Sequence, residues 1–151
     1  MIQVYCYTRH ETDTELLRAE GLRVTAPRLA VLEAVGAAPH ATADQILTAV
    51  RRELPGVSVQ GVYDVLHALT DAGLLRCIEP AGHPARYERR TGDNHHHVVC
   101  RECGALDDVD CAVGHAPCLT PSTTHGFSVD LAEVTYWGLC PGCRTARDAT
   151  A

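Results

Sequence analysis

The sequence predicts an α+β protein in two parts, a helical first half ending in a hairpin and a strand-rich second half bracketed by two cysteine pairs. Three observations carry that class. Residues 13–73 hold four apolar runs at helical spacing, bounded by capping residues or breakers. Residues 74–89 hold two short strand-like runs around Pro80-Ala-Gly-His-Pro84. Beyond a polar break, strand patterns are bracketed by Cys100-Arg-Glu-Cys103 and Cys140-Pro-Gly-Cys143.

Taken in order, Asp13 is expected to cap a short first helix carrying Leu16 and Leu17 and stopped at Gly21. Thr25 with Pro27 opens a second, where Leu29, Leu32 and Val35 recur at helical spacing up to Gly36. Thr42-Ala-Asp-Gln45 matches a capping box for a third, whose stripe of Ile46, Leu47, Val50 and Leu54 ends at Pro55-Gly56. Ser58 caps a fourth with Val59, Val62, Val65, Leu66 and Leu69 turned inward, Gln60, Tyr63, Asp64 and His67 on the other face, and Gly73 as its stop. Leu74 to Glu79 and Ala85 to Arg89 then form a hairpin. Three packed helices and a hairpin make a winged helix-turn-helix over residues 1–90, with the fourth helix placed for the DNA major groove. Periodicity alone leaves a plain helical domain with a solvated face as the alternative. Residues 91–94 read as a linker. Past it, Val98 to Arg101, Leu106 to Asp110 and Phe127 to Trp137 read as strands, the last alternating through Val129, Leu131, Glu133, Thr135 and Trp137. Residues 95–151 thus form a small α/β module, expected to dimerise through its sheet edges.

Composition narrows the function. At 151 residues with 46% hydrophobic content the chain suits a soluble fold of one domain or two small ones, and no apolar run approaches the ~20 residues of a membrane span. The formal charge of -6 is unevenly spread. The first 90 residues are nearly neutral and hold most of the arginines, as a DNA-facing half would, while the acidic second half, rich in His and Cys, suits cations. Met1 to Arg9 lacks a basic start followed by an apolar core, so the expected compartment is the reducing cytoplasm, where thiolates stay free for metal.

Two C-x-x-C pairs supply four thiolates from two tight turns, the donor set of one tetrahedral zinc at Cys100, Cys103, Cys140 and Cys143. Such a site is structural. With four sulfur ligands no position is open to water, which argues against a zinc hydrolase, and two motif copies argue against a dithiol oxidoreductase. A second constellation lies just before the first knuckle. On a strand His95 and His97 share one face and His96 points the other way; His40, Glu88 and Asp108 are candidates to complete a shell around the pair. Imidazole and carboxylate without thiolate suit iron(II) or manganese(II), against the alternative of a merely polar histidine run.

The chain resembles the ferric uptake regulator (Fur) family from about Gly21 to Cys143. The resemblance rests on Gly21-Leu-Arg-Val-Thr25, His40-Ala-Thr-Ala-Asp44, Val59-Gln-Gly-Val-Tyr-Asp-Val-Leu66, His95-His-His-Val-Val-Cys-Arg-Glu-Cys-Gly104 and Tyr136-Trp-Gly-Leu-Cys-Pro-Gly-Cys143. It looks most like the peroxide-responsive branch, which includes actinobacterial repressors of catalase genes. It implies a homodimeric, metal-dependent repressor of a double-stranded DNA operator, with zinc on the four cysteines. It also implies regulatory iron(II) or manganese(II) on His40, Glu88, His95, His97 and Asp108, and peroxide sensing by iron-catalysed oxidation of His95 or His97. Glu88 stands where the best-known sensors have Asp, one residue further from His95. An accessory metal site of some relatives would use His96 with an acid near residue 115 and a histidine near residue 132, where this chain has His115 and Ala132. Tyr63 and Gln60 are the candidates for base contacts, and Arg23 and Arg28 for phosphates or the minor groove, a solvated surface role being the alternative for each. Cys111 and Cys118 are either small buried hydrophobes or redox thiols. Within the family the competing readings are a repressor of iron uptake that responds to iron level alone, then a zinc or nickel sensor.

Overall fold

A computed structural model describes residues 13–91, 95–110, 123–129 and 133–150. Cys6, Cys111, Cys118, His115 and Ala132, with the linker residues 92–94, lie outside the described residues. The chain divides into two compact units, Met1–Cys77 with Arg86–Thr91, and Ile78–Ala85 with Gly92–Ala151.

In the first unit, α1 (Asp13–Ala19), α2 (Ala26–Ala37), α3 (Ala43–Glu53) and α4 (Val59–Asp71) follow the four apolar runs. The capping box forms as its residue types dictate. Gln45 N–H donates to Thr42 Oγ1 at 3.3 Å, and Thr42 N–H to Gln45 Oε1 at 2.8 Å. Ser58 Oγ accepts from Gly61 N–H at 2.9 Å and starts α4. Leu17, Leu32, Ile46, Leu66, Leu69 and Leu75 are the largest fully buried apolar side chains, each worth about 2 kcal/mol of burial. Val59, expected to turn inward, is 47% exposed, because the first turn of α4 extends past the packed stripe.

Asp13 heads α1 as its first helical residue, and its carboxylate takes the guanidinium of Arg89 in a two-pronged ion pair. Arg89 also donates to the Leu32 carbonyl at 3.3 Å, so α1, α2 and the chain after the hairpin are pinned at one point.

The hairpin strands β2 (Arg76–Ile78) and β3 (Arg86–Glu88) gain a third partner that the sequence did not disclose, β1 (Ala41–Thr42). The sheet order is β1-β3-β2, with Ala41 opposite Tyr87 and Thr42 opposite Arg86. His40 leads into β1 with φ 62, a left-handed conformation held by its N–H donating to the Tyr87 carbonyl at 2.9 Å and its own carbonyl accepting from Arg86 at 3.3 Å.

In the second unit β4 (His95–Cys100) lies between β5 (Leu106–Asp110), antiparallel, and β6 (Thr135–Gly138), parallel. The helix α5 (Pro141–Asp148) follows β6 directly. The long strand expected over Phe127 to Trp137 is confined to its end. Gly126, with φ 85, and a turn bond from Phe127 N–H to the Thr124 carbonyl precede it, and among its described residues only those from Thr135 join the sheet. Phe127 is consequently 76% exposed.

Gly104 closes the turn between β4 and β5 with φ 69, and a Cβ placed there would lie 2.6 Å from His83 Nδ1. His83 stacks on Trp137, with ring centroids 6.2 Å apart. Gly104→Ala is expected to cost about 1–3 kcal/mol through the backbone conformation alone, and to push His83 off the indole. Trp137 is the single tryptophan of the chain, so its emission should shift along with a lowered unfolding midpoint. The double variant with His83→Ala should recover only part of the loss.

Candidate metal centres

The register of β4 builds the sulfur site. Cys100 ends β4 opposite Gly138 of β6, so the second cysteine pair begins two residues beyond the first knuckle's neighbour. Around the first knuckle Gly104 N–H donates to the Cys100 carbonyl at 2.9 Å, and Cys100 N–H to the Ala105 carbonyl at 2.8 Å. At the second, Cys140 is the N-cap of α5 and its Sγ accepts from Cys143 N–H at 3.5 Å. The four sulfurs all lie within 4.8 Å of one another, Cys103 and Cys140 at 3.7 Å.

Electrostatics favour a cation among them. Backbone N–H groups of Cys103 and then Cys140 lower the Cys100 thiol to about 6, so it is a thiolate at neutral pH. At Cys103 the Ala105 N–H pulls downward, but the Cys100 and Cys140 sulfurs outweigh it and leave the thiol raised. Cys143 is raised by Cys140 and then Cys103. Four crowded sulfurs cannot all ionise without a shared positive charge, and a soft divalent ion preferring tetrahedral thiolate coordination, such as zinc, fits them.

Within each unit an imidazole meets a carboxylate. In the first unit His40 Nε2 donates to Glu88 Oε2 at 3.0 Å, and Glu88 is 1% exposed. In the second, antiparallel pairing sets His97 opposite Asp108. Asp108 Oδ1 lies 3.6 Å from His97 Nε2 and 3.7 Å from His95 Nε2, and the two imidazoles meet edge to face at 4.8 Å. His96 points to the other face, its ring 6.3 Å from Tyr136. All three histidines of β4 are buried, and imidazole with carboxylate is a donor set suited to a borderline divalent ion.

Of the candidate DNA contacts, Tyr63 and Gln60 lie exposed on α4, and Gln60 Nε2 donates to Asp64 Oδ1 at 2.7 Å. Arg23 is exposed, while Arg28 is half-buried and donates to the Arg23 carbonyl at 2.7 Å. Two residues beside these groups carried no signal in the sequence. The Arg76 guanidinium lies 3.9 Å from Glu88 Oε1 because β2 pairs with β3, and His83 reaches Gly104 through the hairpin tip.

Residues 19–135 match the family model described as the ferric uptake regulator family. The chain is 67% identical over 129 residues to the transcriptional regulator FurA of Mycobacterium tuberculosis, covering 85% of this chain and 88% of that protein. It is 61% identical over 135 residues to ferric uptake regulation protein 1 of Mycolicibacterium fortuitum, covering 89% and 82%. Against the peroxide operon regulator of Bacillus subtilis it is 30% identical over 138 residues, covering 85% and 89%. Among solved structures, the Campylobacter jejuni peroxide stress regulator aligns with a TM-score of 0.64 at 25% identity, covering 85% of this chain and 97% of that one. The Helicobacter pylori ferric uptake regulator aligns with a TM-score of 0.65 at 17% identity, covering 85% and 86%.

Because Cys103 and Cys143 hold their protons at neutral pH and must lose them to ligate, zinc uptake by the reduced, metal-stripped chain should release roughly two protons or more, and affinity should fall as pH falls. Calorimetric titration in buffers of different ionisation heats checks both. Zinc binding without proton release would mean that these thiols are not its ligands.

Proposed function

The chain belongs to the ferric uptake regulator family, and from that premise we propose that it is an iron(II)-responsive DNA-binding repressor of the iron-uptake type. Members of this family are metal-responsive transcriptional regulators, not enzymes, and they bind DNA and act as dimers. The iron-level reading ranks ahead of the peroxide reading because relatives at 61% and 58% identity carry the name ferric uptake regulation protein, whereas a peroxide regulator is similar at 30%.

The observation that carries the mechanism is the presence of one ligand cluster in each unit, His40 with Glu88 in the first and His95, His97 and Asp108 in the second. In our reading these five residues hold one regulatory ion, iron(II) or manganese(II), and Cys100, Cys103, Cys140 and Cys143 hold structural zinc. When bound, regulatory iron(II) would supply a divalent charge that favours the joined arrangement of the clusters and, in the second reading, the electron that reduces peroxide. Residues 1–90 serve as the winged DNA-binding domain, 91–94 as linker and 95–151 as the dimerisation domain. The exposed Phe127, Val129, Tyr136 and Trp137 supply apolar surface for a second copy. Differential affinity of a few kcal/mol between the two arrangements is enough to switch operator occupancy. Tyr63 and Gln60 face the major groove from α4, with Arg23 and Arg28 placed for phosphates.

The second reading is peroxide sensing. It is favoured by a donor set of imidazoles and carboxylates with no thiolate, and by the 30% identity to the peroxide operon regulator. Oxidation of His95 or His97 would remove a donor and release DNA.

Operator binding should rise at least tenfold on adding manganese(II), and His97→Ala should abolish that gain while leaving the fold intact by circular dichroism. Metal-independent binding by the wild-type chain would overturn the proposal. Brief peroxide treatment of the iron-loaded protein, followed by mass analysis of residues 95–97, separates the two readings: added oxygen on an imidazole supports peroxide sensing, and none supports iron level alone. Tyr63→Ala should weaken operator binding by about 1–3 kcal/mol in a filter-binding or anisotropy assay.

A further inference from the structure

Glu88 is 1% exposed, and two cationic or hydrogen-bonding groups approach it, one from the β1 side of β3 and one from the β2 side. His40, entering β1, meets Oε2 at 3.0 Å; Arg76, on β2, brings its guanidinium within 3.9 Å of Oε1 with its side chain only 20% exposed. His40 is a neutral donor when it ligates an ion. Arg76 is different, because a guanidinium keeps its charge at every working pH and cannot itself ligate.

We propose that Arg76 sets the affinity of the regulatory site, holding it weaker than its ligand set alone would make it. The inference rests on Glu88 being a ligand of the regulatory ion. A carboxylate that already faces a fixed positive charge offers less attraction to a divalent ion, and the same charge repels that ion directly. At a separation of about 8 Å in water-like dielectric, a unit charge changes the binding of a divalent ion about five- to tenfold. Partial burial strengthens the effect, since salt screens it less. A site weakened in this way fills and empties over the range in which ion supply varies, whereas a tighter one would stay filled. The placement comes from strand order: β3 lies between β1 and β2, so His40, just before β1, and Arg76, on β2, both come up to the Glu88 carboxylate, one as a ligand in our reading and the other as a permanent cation.

The test is manganese(II) affinity of the zinc-loaded full chain, read by the loss of the free-ion electron paramagnetic resonance signal, with thermal unfolding followed in parallel. Arg76→Gln is expected to bind manganese about five- to tenfold more tightly than the wild type, and Arg76→Lys, which keeps the charge, within about twofold of it. Arg76→Met, similar in length and uncharged, should match Arg76→Gln and repeats the test if that variant unfolds. Unchanged or weaker binding by the uncharged variants, with Glu88→Gln still abolishing binding in the otherwise wild-type chain, overturns the role of Arg76 and leaves the regulatory site standing. Undiminished binding by Glu88→Gln overturns both.

Discussion

The register of β4 is the constraint on which both metal centres depend. Six residues, His95 to Cys100, sit between an antiparallel and a parallel neighbour, and each pairing has its own consequence. The antiparallel side sets His97 against Asp108 and brings His95 to the same carboxylate. The parallel side carries the chain past Gly138 to the second cysteine pair beside the first. Side chains alternate along a strand, so a slip of one residue would turn His95 and His97 to the opposite face and part the two knuckles together. A single strand, through its two pairings, therefore ties an imidazole cluster to a thiolate cage. Burial of all three histidines makes such a slip costly, because polar rings already packed on both faces would have to exchange surroundings.

The first unit is organised on another principle. Its helices are held by an ordinary apolar core, and polar contacts then aim its functional groups. The Asp13–Arg89 pair ties the first helix to the residue that follows Glu88. The β1–β3 pairing fixes His40 beside the same carboxylate. Ser58 sets the start of α4, and with it the outward direction of Gln60 and Tyr63. The side chains that would read DNA and two of those that would bind an ion, His40 and Glu88, thus sit on one scaffold.

Local chemistry explains what could be read from the sequence. The Thr42–Gln45 box, the Ser58 cap and the two C-x-x-C turns act over three or four residues, so residue type and spacing are enough to identify them. The alternation that puts His95 and His97 on one face is equally local. Features that depend on pairing between distant segments were not legible. β1 is two residues long and exists only because Tyr87 and Arg86 lie opposite it. Arg76 near Glu88, Arg89 on Asp13 and His83 over Gly104 all need a register that no short window contains. The expectation for Phe127 to Trp137 erred for the same reason: alternation describes a strand's faces, but a strand also needs a neighbour, and among the described residues only Thr135 to Gly138 have one.

The left-handed backbone of His40 bears on how this protein can diverge. Few side chains tolerate that conformation, and Asn and Asp share the tolerance with His. The residues that keep the hairpin's third strand in place without strain are therefore a short list, and Asn, within it, lacks the imidazole. One codon's change could leave a gene copy whose product folds and holds its shape while no longer answering to the ion. Duplicated copies have an easy route at this position to folded repressors that never engage their operator, one that structural stability alone would not oppose.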